Sequence, residues 1–213
     1  MKISASTLFL LLAGLFLLPA CGDDGDDMPD NLSGELTISG GWGHLGNETN
    51  IAEKISPIVA GLTDEQLDQL DYTRDELIDD LNIFAVFLSL PIATCDQNDA
   101  AIFNADGTVT ANYIDDCGSD VFIQSFNPIA PDPADNETST WVRNGNAVTI
   151  TTTGDFGGTA FTDVETFEIV ELTATSLKLR VTEESLEEQL FEGEDLGDVN
   201  LEGLFIQLNF TAL

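Results

Sequence analysis

The chain has 213 residues, of which 39 are Asp or Glu and 6 are Lys or Arg, for a formal net charge of −33 at pH 7. Such a charge repels phosphate, which argues against nucleic acid as a partner and against close contact with an anionic membrane surface. A hydrophobic content of 43% argues against global disorder, and the length suits one domain with a full core.

The chain opens with Lys2 and an apolar run over 8–18, too short and wrongly flanked for a membrane span. It closes on Leu18-Pro19-Ala20-Cys21, which resembles a bacterial lipobox. That resemblance implies removal of residues 1–20 as a lipoprotein signal peptide and acylation of the Cys21 thiol. The membrane is then a partner through the lipid anchor, at the bacterial outer membrane or cell surface. Acyl chains contribute about 0.8 kcal/mol per buried CH₂. Gly22-Asp23-Asp24-Gly25-Asp26-Asp27 follows, and residues 21–34 read as an acidic, solvated tether. The run is similar to the acidic stretch that directs Bacteroidota lipoproteins to the cell surface. The excess of acids over lysine resembles proteins of high-salt habitats and predicts an unfolding midpoint that rises with NaCl.

With Cys21 taken by lipid, Cys95 and Cys117 remain. In an exported protein the two read as a disulfide, worth about 3 kcal/mol in the chain-entropy model. Metal ligation is the poorer rival, because the two cysteines are far apart and the single histidine, His44, is distant in sequence.

The domain spans 35–213. A strand is predicted over 35–42, then a loop from Gly43 to Asn47, then a short helix over 51–60 interrupted by Pro57. Thr63-Asp64-Glu65-Gln66 and Thr73-Arg74-Asp75-Glu76 are capping boxes. The second opens a helix with Leu77, Leu81, Phe84 and Leu88 at helical spacing, and 51–90 is a helical elaboration as a whole. From Ala100 the period changes to two. Phe103, Val109, Ala111 and Tyr113 flank Asn104-Ala105-Asp106-Gly107 as a hairpin, and a short strand is expected over 121–123. A second hairpin runs through Trp141, Asn144-Gly145 and Val148, with a type I′ turn expected at Asn144-Gly145. A glycine-rich loop covers 153–159 and a long strand 159–171. Leu177, Leu179 and Val181 alternate with Lys178 and Arg180 as a half-buried strand. An acidic insertion, partly helical through Leu186 and Leu190, fills 183–200. Leu204, Ile206, Leu208 and Phe210 alternate to the end. The count is about eight antiparallel strands in meander order, which removes its edges by closing into an up-and-down barrel. A β-sandwich is the competing architecture.

Ile38-Ser39-Gly40-Gly41-Trp42 is similar to the L-x-G-x-W opening of lipocalin-like domains. Cys95-Asp96-Gln97-Asn98-Asp99 through Phe103 and Asp106-Gly107-Thr108 resembles the C-x-x-D-D-x-x-x-F-x-x-D-G-T run of such domains in Bacteroidota lipoproteins. Thr140-Trp141, Asn144-Gly145 to Ile150, and Phe167 to Leu179 resemble further family motifs in the same order. The resemblance implies a mainly β fold: an antiparallel up-and-down lipocalin-like β-barrel of about eight strands, with a helical insertion after the first strand. It implies that Trp42 closes the barrel base. It also supports the Cys95–Cys117 pairing, since the family's second cysteine follows the hairpin. The chain departs from the pattern in its long helical 43–94 connection, in Ser139 where a glycine is usual, and in the acidic insertion.

No nucleophile, metal or phosphate-cradling motif is present, so the chain is read as non-catalytic, with no cofactor and no metal site. His44 reads as a loop histidine. Asn104-x-Asp106-Gly107 is faintly like a calcium loop but is explained by a hairpin turn. Glu183, Glu184, Glu187 and Glu188 belong to the densest acidic cluster, best read as a solvated face. Trp42, Phe103, Trp141, Phe167 and Phe210 are the candidate lining of a ligand pocket, against the alternative that they are simply core. The leading expectation is non-catalytic binding of a small apolar or amphipathic ligand. The alternative is an envelope interaction protein with a filled barrel and an acidic, calcium-binding surface.

Overall fold

The computed structural model describes residues 34–90, 97, 99–113, 127–131, 136–191 and 199–213. Cys21, Cys95, Cys117, the strand expected at 121–123 and residues 192–198 of the acidic insertion lie outside the described residues. Eight antiparallel strands close into a barrel in chain order: β1 (Trp42–Thr49), β2 (Ala100–Phe103), β3 (Thr108–Asn112), β4 (Thr138–Asn144), β5 (Ala147–Phe156), β6 (Thr159–Leu172), β7 (Ser176–Val181) and β8 (Ile206–Ala212). Closure is made by β1 against β8, from Trp42 opposite Ala212 to Thr49 opposite Ile206.

The first strand lies later than its predicted span of 35–42. Gly40 and Gly41 hold φ values of 103° and 86°, and a side chain at Gly40 would collide with the Leu213 carbonyl. The glycine pair is therefore a turn, and pairing starts at Trp42. The predicted loop Gly43–Asn47 is strand, broken by one bulge at Leu45 between His44 and Gly46.

Turn chemistry fixes the hairpins. In the β2–β3 turn Gly107 N–H donates to Asn104 O at 3.0 Å, while Asp106 Oδ1 accepts from Thr108 N at 3.0 Å and Thr108 Oγ1 at 2.7 Å. The β4–β5 turn pairs Asn144 with Ala147, so its central residues are Gly145 and Asn146 rather than Asn144 and Gly145. Only Gly145 has positive φ, at 62°, which is type II′ in place of the expected I′. The glycine-rich loop expected at 153–159 is instead the tip of a long hairpin. Phe156 pairs with Thr159 across Gly157 and Gly158, whose φ values of 62° and 88° suit a type I′ turn.

Three helices follow β1: α1 (Ile51–Gly61), α2 (Asp64–Gln69) and α3 (Arg74–Leu88). α1 runs through Pro57, the position of the expected interruption. Ile51, Ile55 and Val59 recur every four residues and are buried, and this packing outweighs the one backbone bond that proline removes. Both capping boxes form: Thr63 with Gln66 opens α2, and Thr73 with Glu76 opens α3. The Thr73 hydroxyl and then its N–H hold the Glu76 carboxyl below the usual range. α2 stops in a Schellman-type turn, with Asp71 at φ 58° and Tyr72 N–H donating to Leu67 O at 3.1 Å. Arg74 ties α3 back to α1, its guanidinium donating to Val59 O at 2.8 Å and Leu62 O at 2.7 Å. A fourth helix, α4 (Glu183–Leu190), follows β7 and is capped by Thr182.

β1 runs into α1, and β7 into α4, at the end of the barrel opposite Trp42. The helices buried there through Ile55, Val59, Leu81, Leu186 and Phe191 share one continuous apolar core with the strands.

Candidate functional site

The base of the barrel is closed from the residues around Trp42. Its indole is fully buried and donates from Nε1 to Leu36 O at 2.8 Å, anchoring the segment that precedes β1. Asn127 locks the same corner, donating from Nδ2 to Trp42 O at 3.0 Å and to Asp99 O at 3.1 Å.

The strand register sends one residue in two into the lumen, and it gathers all five aromatic side chains expected there. Trp42, Phe103, Phe167 and Phe210 are at most 2% exposed and belong to the same core as Leu177, Leu179 and Ile169. Phe103 meets Trp141 edge to face at 5.4 Å, and Trp141 donates from Nε1 to Asn104 O at 3.0 Å. Trp141 alone of the five is half-buried. Ser139, where the family pattern has glycine, also points inward and shares a 2.8 Å hydroxyl contact with Thr152.

His44, expected on a loop, lies on β1 inside the barrel. Two residues after Trp42, it shares the inward face, pairs with Phe210 and packs on that ring at 5.2 Å. Its Nε2 contacts Asn47 Oδ1 at 2.8 Å, and its Nδ1 is buried without a hydrogen-bond partner. Desolvation by burial lowers its pKa, outweighs the contrary pull of the Asn47 contact and so favours the neutral imidazole. A period-two count begun at Trp42 would have placed His44 inside; the glycines on either side of it read as loop.

Along β5 and β6 the inward row changes character. Val148 faces Phe167, then Ile150 faces Glu165, then Thr152 faces Asp163. Gly154 then faces Phe161, so the wall beyond Phe167 mixes polar and apolar side chains. Asn104-x-Asp106-Gly107 is accounted for by its turn, where the Thr108 hydroxyl and N–H hold Asp106 below the usual carboxylate range. Among the described residues no cluster of three or more His, Cys, Asp or Glu groups could hold a metal ion. Glu183 and Glu184 are exposed on the first turn of α4.

Two concavities lie on the helical end, which sequence reasoning does not single out. One, of about 390 Å³, is an open groove between α1 and the 199–202 segment, lined by Lys54, Pro57, Ile58, Leu62, Val199 and Glu202 among others. The second, of about 170 Å³, lies between α3 and the end of α4, lined by Leu70, Tyr72, Leu81, Phe84 and Phe191 among others. Both join segments more than a hundred residues apart, so no local pattern announces them.

No curated protein and no solved structure matches the chain. A model of the lipocalin-like domain matches residues 71–179, from the turn after α2 through α3 and on to β7. With that match over half its length and a closed up-and-down barrel of eight strands, the chain belongs to the lipocalin-like domain family, whose members are typically non-catalytic binding proteins.

Proposed function

We propose that the protein is a lipid-anchored, exported lipocalin-like protein that binds a small amphipathic molecule without transforming it. In this reading the binding takes place at the helical end of the barrel, and the lumen is its packed support. The observation that carries it is the open groove of about 390 Å³ at that end, between α1 and the 199–202 segment, while Trp42, Phe103, Phe167 and Phe210 are at most 2% exposed in a core continuous with the helices. Aromatic side chains that fill an eight-stranded barrel leave the concave surface to the connections, where binding groups commonly sit. Anchorage rests on Leu18-Pro19-Ala20-Cys21 and on the acidic run after it.

Native mass spectrometry of protein purified from cells tests the binding. A co-purifying small molecule that is lost on unfolding supports this reading, and its mass gives the chemical class. A Cys21→Ser variant tests the anchor: it should leave the membrane fraction, and a variant that stays there would count against lipidation at this residue.

A second reading is favoured by one feature of α3. Ile83, Val86 and Phe87 are 55%, 63% and 63% exposed, and their spacing puts them on one outward stripe, away from buried Leu77, Leu81 and Ala85. Such a stripe suits contact with a protein partner. An apo mass together with a stoichiometric protein lost from an Ile83→Asp, Phe87→Ser variant would favour this alternative.

A further inference from the structure

We infer that the groove between α1 and the 199–202 segment is a binding site for a small zwitterion with an apolar body, the chemistry of an aliphatic α-amino acid. The inference rests on the binding reading above and names its site and ligand class. The groove has a volume of about 390 Å³, within the range of small-ligand sites. Its apolar lining comes from Pro57, Ile58, Leu62 and Val199.

Two opposite charges line this groove without closing on each other. Lys54 makes no ion pair or hydrogen bond among the described residues, in a chain with 39 acidic residues to attract it. Arg74 and Lys178, by contrast, are matched with Asp64 and Glu171. Glu202 stands on the opposite segment and forms no ion pair with Lys54. The walls are held in place. Asn50 donates from Nδ2 to Gly203 O at 2.7 Å and accepts from Phe205 N at 2.9 Å, and Thr49 Oγ1 donates to Phe205 O at 2.9 Å. The Lys54 ammonium lies over this turn, 3.8 Å from where a Cβ on Gly203 would be.

Charge selects the ligand. A simple anion that could pair with Lys54 meets the field of a chain at −33 and the Glu202 carboxylate across the groove. A simple cation has many other carboxylates to choose from. A zwitterion carries no net charge through that field, and its carboxylate and ammonium answer Lys54 and Glu202 together. Its aliphatic side chain then lies on Ile58, Leu62 and Val199.

The test uses the full-length protein in nonionic detergent and three probes: leucine, 4-methylpentanoate, which lacks the amine, and 3-methylbutylamine, which lacks the carboxylate. Methyl NMR titrations report on Ile58, Leu62 and Val199. Leucine should shift these signals, with both half-charged relatives about three- to tenfold weaker. Lys54→Met should remove the preference over the amine, and Glu202→Gln the preference over the acid. Both side chains are exposed, so these variants should fold. Gly61→Phe should abolish binding, since a Cβ there meets nothing within 4 Å and an added ring extends into the groove. Roughly 50 mM leucine would nearly saturate even a millimolar site. Silence of these methyls at that concentration, or binding unaltered by Gly61→Phe and Lys54→Met, would overturn the site. A co-purifying molecule retained by Gly61→Phe would overturn the groove yet leave the binding reading intact. Loss of any small-molecule binding in the native mass experiment would instead overturn that reading itself.

Discussion

The lumen and the helical end of this molecule solve opposite problems with the same apolar residues. In the lumen, period-two strands turn Phe103, Phe167 and Phe210 inward, and these rings are almost fully buried. At the helical end, α1 and the 199–202 segment enclose an open groove lined by Lys54 and Glu202 among others. Regular register therefore produces filling here, and irregular connection produces concavity. On that contrast rests the proposal that binding lies away from the barrel lumen.

The sharpest way to break the comparison is to empty the lumen. Phe167→Ala should cost about 3–5 kcal/mol in chemical denaturation, because a packed core responds with both lost burial and a cavity. A loss below about 1 kcal/mol would mean that space already surrounds the ring. Next in size is the joint of the helical end. Arg74→Met removes the donors on Val59 O and Leu62 O and should cost about 1–2 kcal/mol. Amide exchange should rise in α1 and α2 and stay unchanged in β5 to β7; a uniform rise would show that the two regions unfold as one. Thr73→Ala breaks the α3 capping box and should cost about 1 kcal/mol, with the same regional signature. Asp71→Gly should stabilise by about 0.5–1 kcal/mol, since the left-handed φ of 58° suits glycine.

The smallest expected effect concerns pH. Burial places the His44 pKa below its unfolded value of about 6.5, so the unfolded chain takes up the proton first as pH falls. The stability tied to neutral His44 is present above that value and is lost as pH drops from it through the depressed folded pKa. Relative to His44→Asn, the native protein should lose stability on acidification in this window; self-repulsion of the acidic surface affects both and cancels. Parallel pH profiles for the two proteins would contradict the placement of His44 in a dry lumen. The Glu76, Asp106 and Glu171 carboxyls, all held below their usual range, act at lower pH and leave this window clear.

Much of the barrel is legible in the sequence because turns and alternation are local. Asn104 to Gly107 and the Leu177-Leu179-Val181 face read correctly, as do both capping boxes, since each is decided within a few residues. Apart from the one-residue register of the Gly145-Asn146 turn, the errors come from weighing a residue without its packing. Glycine content alone, at Gly40-Gly41 and from Gly43 to Gly46, misplaces β1 and leaves His44 on a loop. Pro57 breaks a helix only when the burial of Ile55 and Val59 around it is ignored. Whether aromatic residues fill a lumen or line a pocket is a matter of volume, and alternation gives only the face. The groove is illegible for a stronger reason: its walls are joined by the Asn50–Gly203 contact, across 153 residues of sequence.

Xenon uptake tests the central contrast most directly, because a dry apolar cavity takes up xenon and a filled interior does not. Methyl spectra of the protein under xenon pressure should leave the Ile169, Leu177 and Leu179 signals in place, as a packed lumen requires. Saturable shifts of those three methyls would reveal an empty, ligand-sized interior and return the binding site to the barrel.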